Sequence, residues 1–164
     1  MALDTLKDVY IDQLQDLYSA NRQALTVTRE LAEAAANDQL KQALKRGVTG
    51  IEDGVEKVGS LIKTHGADPT GEFCEGMQGL VREARADALE AEVGNADVRD
   101  AMIITQYQRL VHYAIAGYAS LATLARRLDF ANEAGLLQDC LDKTYHGDSE
   151  MSRIAISEVN REAV

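Results

Sequence analysis

Apolar side chains recur at spacings of three and four residues, or multiples of these, along the N-terminal part of the chain: Leu3, Leu6, Tyr10, Leu14, Leu17 and Leu25. This spacing places side chains on one face of an α-helix, whereas a half-buried strand would alternate apolar and polar residues. No glycine or proline interrupts the chain before Gly47. The pattern therefore predicts a first helix that runs to about Ala35.

A second apolar series follows the same spacing, at Leu40, Leu44, Val48, Ile51, Val55, Val58 and Ile62. Asn37 precedes this series in a position to cap the start of a helix. His65 and Gly66, with Pro69 shortly after them, form a typical helix end. The two helices are therefore expected to form an antiparallel hairpin.

The remaining sequence predicts one shorter helix and two long ones. The shorter helix covers residues 72–93. Residues 94–97, Gly-Asn-Ala-Asp, supply its stop and then the cap of the next helix, over residues 98–128. A tight connection then leads to a last helix over residues 132–163. Long helices joined as hairpin, crossover and hairpin are typical of ferritin-like bundles. We predict an all-α, single-domain protein over residues 1–164, a ferritin-like four-helix bundle with one additional shorter crossover helix.

Composition and charge narrow the classes of partner. The chain has 164 residues, 46% of them hydrophobic, and 17 Lys and Arg against 27 Asp and Glu give a formal net charge of −10. Such a charge repels phosphate backbones and anionic lipids, which argues against nucleic-acid and membrane partners. The N-terminal residues do not resemble a secretory signal, and Cys74 and Cys140 lack metal-ligand spacing. We therefore expect a cytoplasmic protein with two free, buried thiols.

Several segments resemble the YciE/YciF-type family of ferritin-like stress proteins, in order and over nearly the whole chain. They are residues 16–23, Met77 with Gly79 and Leu80, residues 98–101, His112 and Tyr113 with Ile115 and Ala116, and Tyr118 with residues 121–125. The resemblance implies a four-helix bundle with an extra helix, a homodimer, a role in stress response, and a carboxylate-rich interior that binds two metal ions.

The chain departs from that family where the resemblance places its metal ligands. Asn21 stands in place of a glutamate, and residues 47–51 replace a His-Leu-Glu-Glu-Thr segment. Residues 111–114 read Val-His-Tyr-Ala where the family has Glu-His-Tyr-Glu, and residues 142–144 read Asp-Lys-Thr where it has three glutamates. Asp148 remains at the place of a family aspartate. These departures predict a divergent member that lacks most of the metal-binding carboxylates.

A dinuclear centre needs several anionic ligands converging from different helices, because two divalent cations in a bundle core must be neutralised. The remaining acidic residues cluster on single predicted helices instead. We therefore expect no cofactor and a non-catalytic protein that acts through structure or binding. The alternative is a rebuilt iron or manganese site, in a metal-binding protein or oxidase, that uses Asp142, His146, Asp148 and His112, with Asp139 and Asp53 as further candidate ligands.

A stripe of small residues is the remaining candidate binding feature. Gly47, Gly50 and Gly54 share one face of the second predicted helix, although each glycine costs about 1 kcal/mol relative to alanine in a helix. One interpretation is that the stripe makes room for a small ligand or a partner helix. The favoured interpretation is that bulky side chains such as Tyr107 and Tyr145 fill the space. The residues expected to face the stripe are Tyr107, Val111, Ala114 and Tyr118.

Overall fold

The computed structural model describes residues 3–163, apart from the side chains of residues 158 and 162. The helices are α1 (Leu6–Ala34), α2 (Asp38–Thr64), α3 (Glu75–Ala84), α4 (Ala96–Arg127), α5 (Ala131–Ile154) and α6 (Asn160–Glu162). A π-helical segment, Arg85–Glu90, continues α3, and another, Ala155–Val159, connects α5 to α6. No strand occurs within these residues. The predicted all-α class is confirmed.

The four long helices form two hairpins joined by α3. Helix α1 packs against α2 and α4, α2 packs against α5, and α4 packs against α5, while α3 crosses over α1 and α4. The largest fully buried side chains fill the space between them: Tyr10, Leu14, Leu17, Leu31, Leu40, Leu44, Ile62, Met77, Ile103, Leu121, Leu137 and Met151. The arrangement is the predicted bundle with one crossover.

Local capping explains where the helices begin. The Asn37 side chain accepts a hydrogen bond from Leu40 N at 3.0 Å, and the Asn95 side chain accepts one from Val98 N at 2.9 Å. Such side-chain oxygens satisfy amide groups that have no partner within the helix. The Asn37 cap was predicted and is confirmed. The second cap was expected within residues 94–97, and the structure places it at Asn95, so α4 begins at Ala96 instead of the predicted Val98.

The crossover helix is shorter than the predicted 72–93. It begins after Cys74, whose Sγ accepts a hydrogen bond from Met77 N at 3.4 Å, and its π-helical continuation ends at Glu90. The guanidinium of Arg99 donates to the carbonyl oxygens of Ala88 and Leu89, which fixes this end against the start of α4. The predicted last helix, 132–163, is likewise interrupted by its π-helical segment.

Two polar contacts, one buried and one partly buried, hold the hairpins together. The Asp100 carboxylate, 1% exposed, accepts hydrogen bonds from Ala36 N at 2.9 Å and Asn37 N at 2.7 Å. At the opposite end of α4, the Glu133 carboxylate accepts from Tyr10 Oη at 2.6 Å and lies 3.0 Å from His65 Nε2. These contacts fix the relative position of the helices that surround the site described below.

The helices within residues 3–163 do not include one with an apolar stretch sufficient to cross a lipid bilayer.

Candidate functional site in the bundle interior

A partly enclosed cleft of about 380 Å³ lies inside the bundle. Its floor comes from α1 and α4, and its walls come from α2 and α5, between which it opens to solvent. Buried Leu110 and Val111 lie on the floor, and the buried side chains of Ala43 and Met151 lie on the walls. We refer to this space as the interior cleft.

Two of the three stripe glycines make room for tyrosine hydroxyls. A Cβ atom at Gly47 would collide with Tyr107 Oη, and one at Gly54 would collide with Tyr118 Oη. A Cβ atom at Gly50 would meet nothing within 4 Å. The tyrosines therefore fill the space beside two glycines, but the middle of the stripe stays open and lines the interior cleft.

Asn21 and Tyr118 form a buried pair at one end of the interior cleft. Asn21 Nδ2 donates to Tyr118 Oη at 2.9 Å, and the two residues are 3% and 4% exposed. Because Tyr118 accepts this bond, its own hydroxyl proton remains available, and within residues 3–163 it has no acceptor.

Tyr107 stands at the other end, beside Gly47. The residue is 5% exposed, and its hydroxyl makes no hydrogen bond to any group that the structure describes. Burial, together with the negative charges of Asp148 and Glu150, raises the pKa of Tyr107 to about 12. Burial also raises the pKa of Tyr118. Both phenols are therefore neutral near pH 7 and can donate hydrogen bonds into the interior cleft.

Two ion pairs join α2 to α5 on either side of the opening. Arg46 pairs with Glu150 near Gly47, and Lys143 Nζ lies 3.6 Å from Asp53 Oδ2 near Gly54. Lys57, with Lys143, lowers the pKa of Asp53. Between the pairs, the opening is lined by Gly50 on α2 and Gly147 on α5, where a Cβ atom would again meet nothing within 4 Å. We call the gap between these two glycines the entrance.

A model of the protein family described as "Domain of unknown function (DUF892)" matches residues 5–164. The chain belongs to the DUF892 family. This DUF892 protein is 33% identical to Protein YciF of Escherichia coli (strain K12) over 164 residues, which are 99% of this chain and 98% of that protein.

Solved structures similar to this DUF892 protein agree with that assignment. The structural match to the E. coli stress protein YciF has a TM-score of 0.88 at 32% identity, and it covers 96% of this chain and 98% of the YciF chain. The match to YcfI from Rhodopseudomonas palustris has a TM-score of 0.85 at 27% identity, and it covers 92% of this chain and 94% of the YcfI chain. A ferritin-like, diiron-carboxylate protein from Bacillus anthracis str. Ames has a TM-score of 0.70 at 15% identity over 94% and 99%, which shows a shared fold.

The floor of the interior cleft does not offer the ligands of a diiron-carboxylate centre. Its polar side chains are one amide, Asn21, and the phenols of Tyr107 and Tyr118. The carboxylates that line the cleft, on Asp53 and Glu150, are on its walls and paired with cations. Throughout the described part of this DUF892 chain, no three His, Cys, Asp or Glu side chains lie close enough to hold a metal ion.

The main candidate metal ligands from the sequence are separated. His112 Nε2 lies 3.0 Å from Asp148 Oδ2, and Gln108 Nε2 donates to the other Asp148 oxygen at 3.1 Å. Asp142 is exposed and accepts from Gln138 Nε2 at 2.9 Å, while exposed His146 lies at the mouth of the interior cleft. The structure thus brings His112 and Asp148 together and leaves Asp142 and His146 apart from that pair.

The prediction that Tyr145 fills the interior was wrong, because this side chain is 50% exposed. It follows Thr144, which lines the interior cleft, and one step along a helix turns a side chain by about 100°. His65, interpreted from sequence as a helix end, does cap α2 but also makes the partly buried contact to Glu133. Cys74 and Cys140 are free and buried, as predicted, and burial raises the pKa of both thiols.

Proposed function

We propose that this chain is a non-catalytic ferritin-like protein that has lost the dinuclear metal centre and acts through binding. We further propose that it is a cytoplasmic homodimer and that it serves in stress response. Similarity to the E. coli stress protein YciF over almost the full length supports the last assignment.

The main support for the proposal is the chemistry of the side chains that could bind metal in the interior cleft. Two divalent ions in a water-poor interior need anionic ligands to neutralise them, and oxygen-rich sites for iron or manganese are built largely from carboxylates. Here the floor presents Asn21, Tyr107 and Tyr118, and burial keeps the two phenols protonated. A neutral amide and two neutral phenols would leave two metal ions with their charge uncompensated.

Metal analysis tests the proposal. The protein is purified without chelator, incubated anaerobically with Fe(II) or Mn(II), desalted and examined by inductively coupled plasma mass spectrometry. We expect far less than one metal ion per chain, and oxygen consumption no faster than that of free Fe(II). Two tightly held ions per chain would reject the proposal.

The variants Asp148→Asn and His112→Ala address the alternative of a rebuilt site, because these two residues are in contact at 3.0 Å. Glu56→Gln is the control, an exposed carboxylate on α2 that is not a candidate ligand. Metal that is lost in the first two variants and kept in the control would establish the alternative. The proposed homodimer is tested separately by light scattering, which should give twice the mass of the 17.9 kDa chain.

A further inference from the structure

The unpartnered hydroxyl of Tyr107 is the first indication of a ligand in the interior cleft. The side chain is 5% exposed, and its Oη has no hydrogen-bond partner within residues 3–163. Buried polar groups in folded proteins are almost always hydrogen-bonded, because desolvation without a partner is unfavourable. The Tyr107 Oη atom itself is accessible, because Thr28 Oγ1 is the one fully enclosed side-chain polar atom without a partner among the described residues, so a ligand or a water molecule inside the interior cleft can bond to this hydroxyl.

Tyr118 supplies a second donor at the far end of the interior cleft. Asn21 occupies one side of its hydroxyl at 2.9 Å, which leaves its proton directed to a different acceptor. The two hydroxyls lie against Gly47 and Gly54, which are seven residues apart on α2 and therefore about 10 Å apart along the helix axis. The interior cleft thus has a hydrogen-bond donor at each end.

Between these donors the lining is apolar and the space is large enough for an organic molecule. Val111, Leu110, Ala114 and Met151 line this part. A buried apolar cavity of about 150 Å³ holds a benzene ring, and small-molecule sites usually measure about 300 to 1,000 Å³. At about 380 Å³, the interior cleft suits a molecule of one or two rings.

The charges around the interior cleft favour an uncharged molecule. Its floor carries no ionised side chain, and the charged residues of the walls include the two pairs Arg46–Glu150 and Lys143–Asp53. A carboxylate or ammonium group bound on the floor would lose its water without gaining an opposite charge, which is strongly unfavourable. An uncharged oxygen acceptor meets no such penalty.

We propose that the interior cleft binds a small, uncharged, mostly apolar ring compound with a carbonyl oxygen that accepts a hydrogen bond from Tyr107 or Tyr118. The compound enters between Gly50 and Gly147, where neither residue has a side chain to obstruct it. This inference rests on the proposed function, because a dinuclear centre would occupy the same space.

Isothermal titration calorimetry with acetylnaphthalene tests the inference. Ethylnaphthalene has nearly the same shape but no acceptor oxygen, so it measures the apolar contribution alone. We expect the ketone to bind more tightly than the hydrocarbon by about fivefold, the ratio that one neutral hydrogen bond provides. Equal affinities, or tighter binding of naphthoic acid than of the ketone, would overturn the proposed ligand class.

Tyr107→Phe removes the hydroxyl and keeps the ring. We expect Tyr107→Phe, alone or combined with Tyr118→Phe, to lower the affinity for acetylnaphthalene by about fivefold. The affinity for ethylnaphthalene should stay unchanged. Tyr113→Phe is the matched control, because Tyr113 contacts Cys74 and Asp16 and does not line the interior cleft. Ketone affinity that survives the Tyr107→Phe, Tyr118→Phe double variant would contradict the proposed contact.

The entrance is tested with Gly147→Trp, which places a large side chain where the backbone leaves open space. Gly135→Trp is the matched control on the same helix, also without neighbours but outside the interior cleft. We expect Gly147→Trp to abolish the binding of both naphthalenes and Gly135→Trp to retain it.

Metal content is measured on the same preparations. A metal-loaded protein would overturn the proposed function, whereas a metal-free protein that binds neither naphthalene would overturn this inference alone.

Discussion

The hydroxyl of Tyr118 lies against the backbone of Gly54 and accepts a hydrogen bond from Asn21 at 2.9 Å. The three residues belong to α4, α2 and α1, so three helices meet at this contact. Because a Cβ atom at position 54 would collide with Oη, the glycine leaves room for the Tyr118 side chain to reach from α4 to α2 across the bundle interior.

Gly54→Ala is therefore expected to lower the free energy of unfolding by about 1 to 3 kcal/mol, the usual effect of overpacking a buried site. Gly50→Ala is the matched comparison, because its Cβ atom meets nothing within 4 Å. That change is expected to raise the free energy of unfolding by about 0.5 to 1 kcal/mol through helix propensity. Urea denaturation followed by circular dichroism measures both. Equal effects of the two substitutions would contradict the packing explanation.

The two cleft tyrosines are expected to differ in their contribution to stability. Tyr118→Phe removes the acceptor of Asn21 and should lower the free energy of unfolding by about 1 to 2 kcal/mol. Tyr107→Phe removes a hydroxyl without a partner in the described structure and should leave stability unchanged or slightly higher. Thermal melts of the two variants, recorded without added ligand, give the comparison. A larger loss for Tyr107→Phe would reveal a partner for that hydroxyl within the protein.

Alkaline pH is expected to destabilise the bundle. Burial raises the pKa of Tyr107 to about 12, and it also raises the pKa values of Tyr10, Tyr113 and Tyr118. A tyrosine in the unfolded chain titrates near pH 10, so above that pH the unfolded state releases protons that the folded state retains. The free energy of unfolding should therefore be steady below about pH 9 and should fall between about pH 10 and 12.

Denaturant titrations at a series of pH values measure this dependence. Tyr107→Phe should make the decrease between about pH 10 and 12 shallower, because one titrating group is removed. A slope identical to that of the unsubstituted protein would show that Tyr107 titrates alike in the folded and unfolded states.

Asp100→Asn tests the contact between the first hairpin and α4. The carboxylate accepts hydrogen bonds from two backbone amides, Ala36 N and Asn37 N, and is 1% exposed. In asparagine an NH2 group replaces one of the two accepting oxygens and cannot accept from the backbone amide that faces it, so we expect a loss of about 1 to 3 kcal/mol in the free energy of unfolding. Asp139→Asn, on the exposed face of α5, should change it by less than about 0.5 kcal/mol. Similar losses in both variants would point to an effect of net charge instead.

Features that depend on neighbouring residues could be predicted from the sequence. Asn37, and the cap expected within residues 94–97 and found at Asn95, accept hydrogen bonds from amides three residues ahead, so each cap and its partner lie in one short segment. The ends of α3 depend on distant partners instead. Arg99 binds carbonyl oxygens about ten residues before it, across a turn whose geometry the apolar spacing does not specify.

The interior cleft was only partly predictable for the same reason. The spacing of Gly47, Gly50 and Gly54 marks one face of α2, and Tyr107 and Tyr118 were expected to face it. The position of Gly147 opposite Gly50 depends on the register between two helices that pack antiparallel far apart in sequence. The apolar pattern of neither helix specifies that register. For the same reason, Tyr145 was wrongly expected to lie in the interior.

The ion pairs that border the entrance have a consequence for ligand exchange. Both pairs include well exposed side chains, with Arg46 at 57% and Lys143 at 68%. Dissolved salt screens such charges, with a Debye length of about 8 Å at physiological ionic strength and about 3 Å at 1 M. A ligand of the interior cleft is therefore expected to associate and dissociate faster in concentrated salt. The residence time of the ligand would then depend on the salt concentration of the solution.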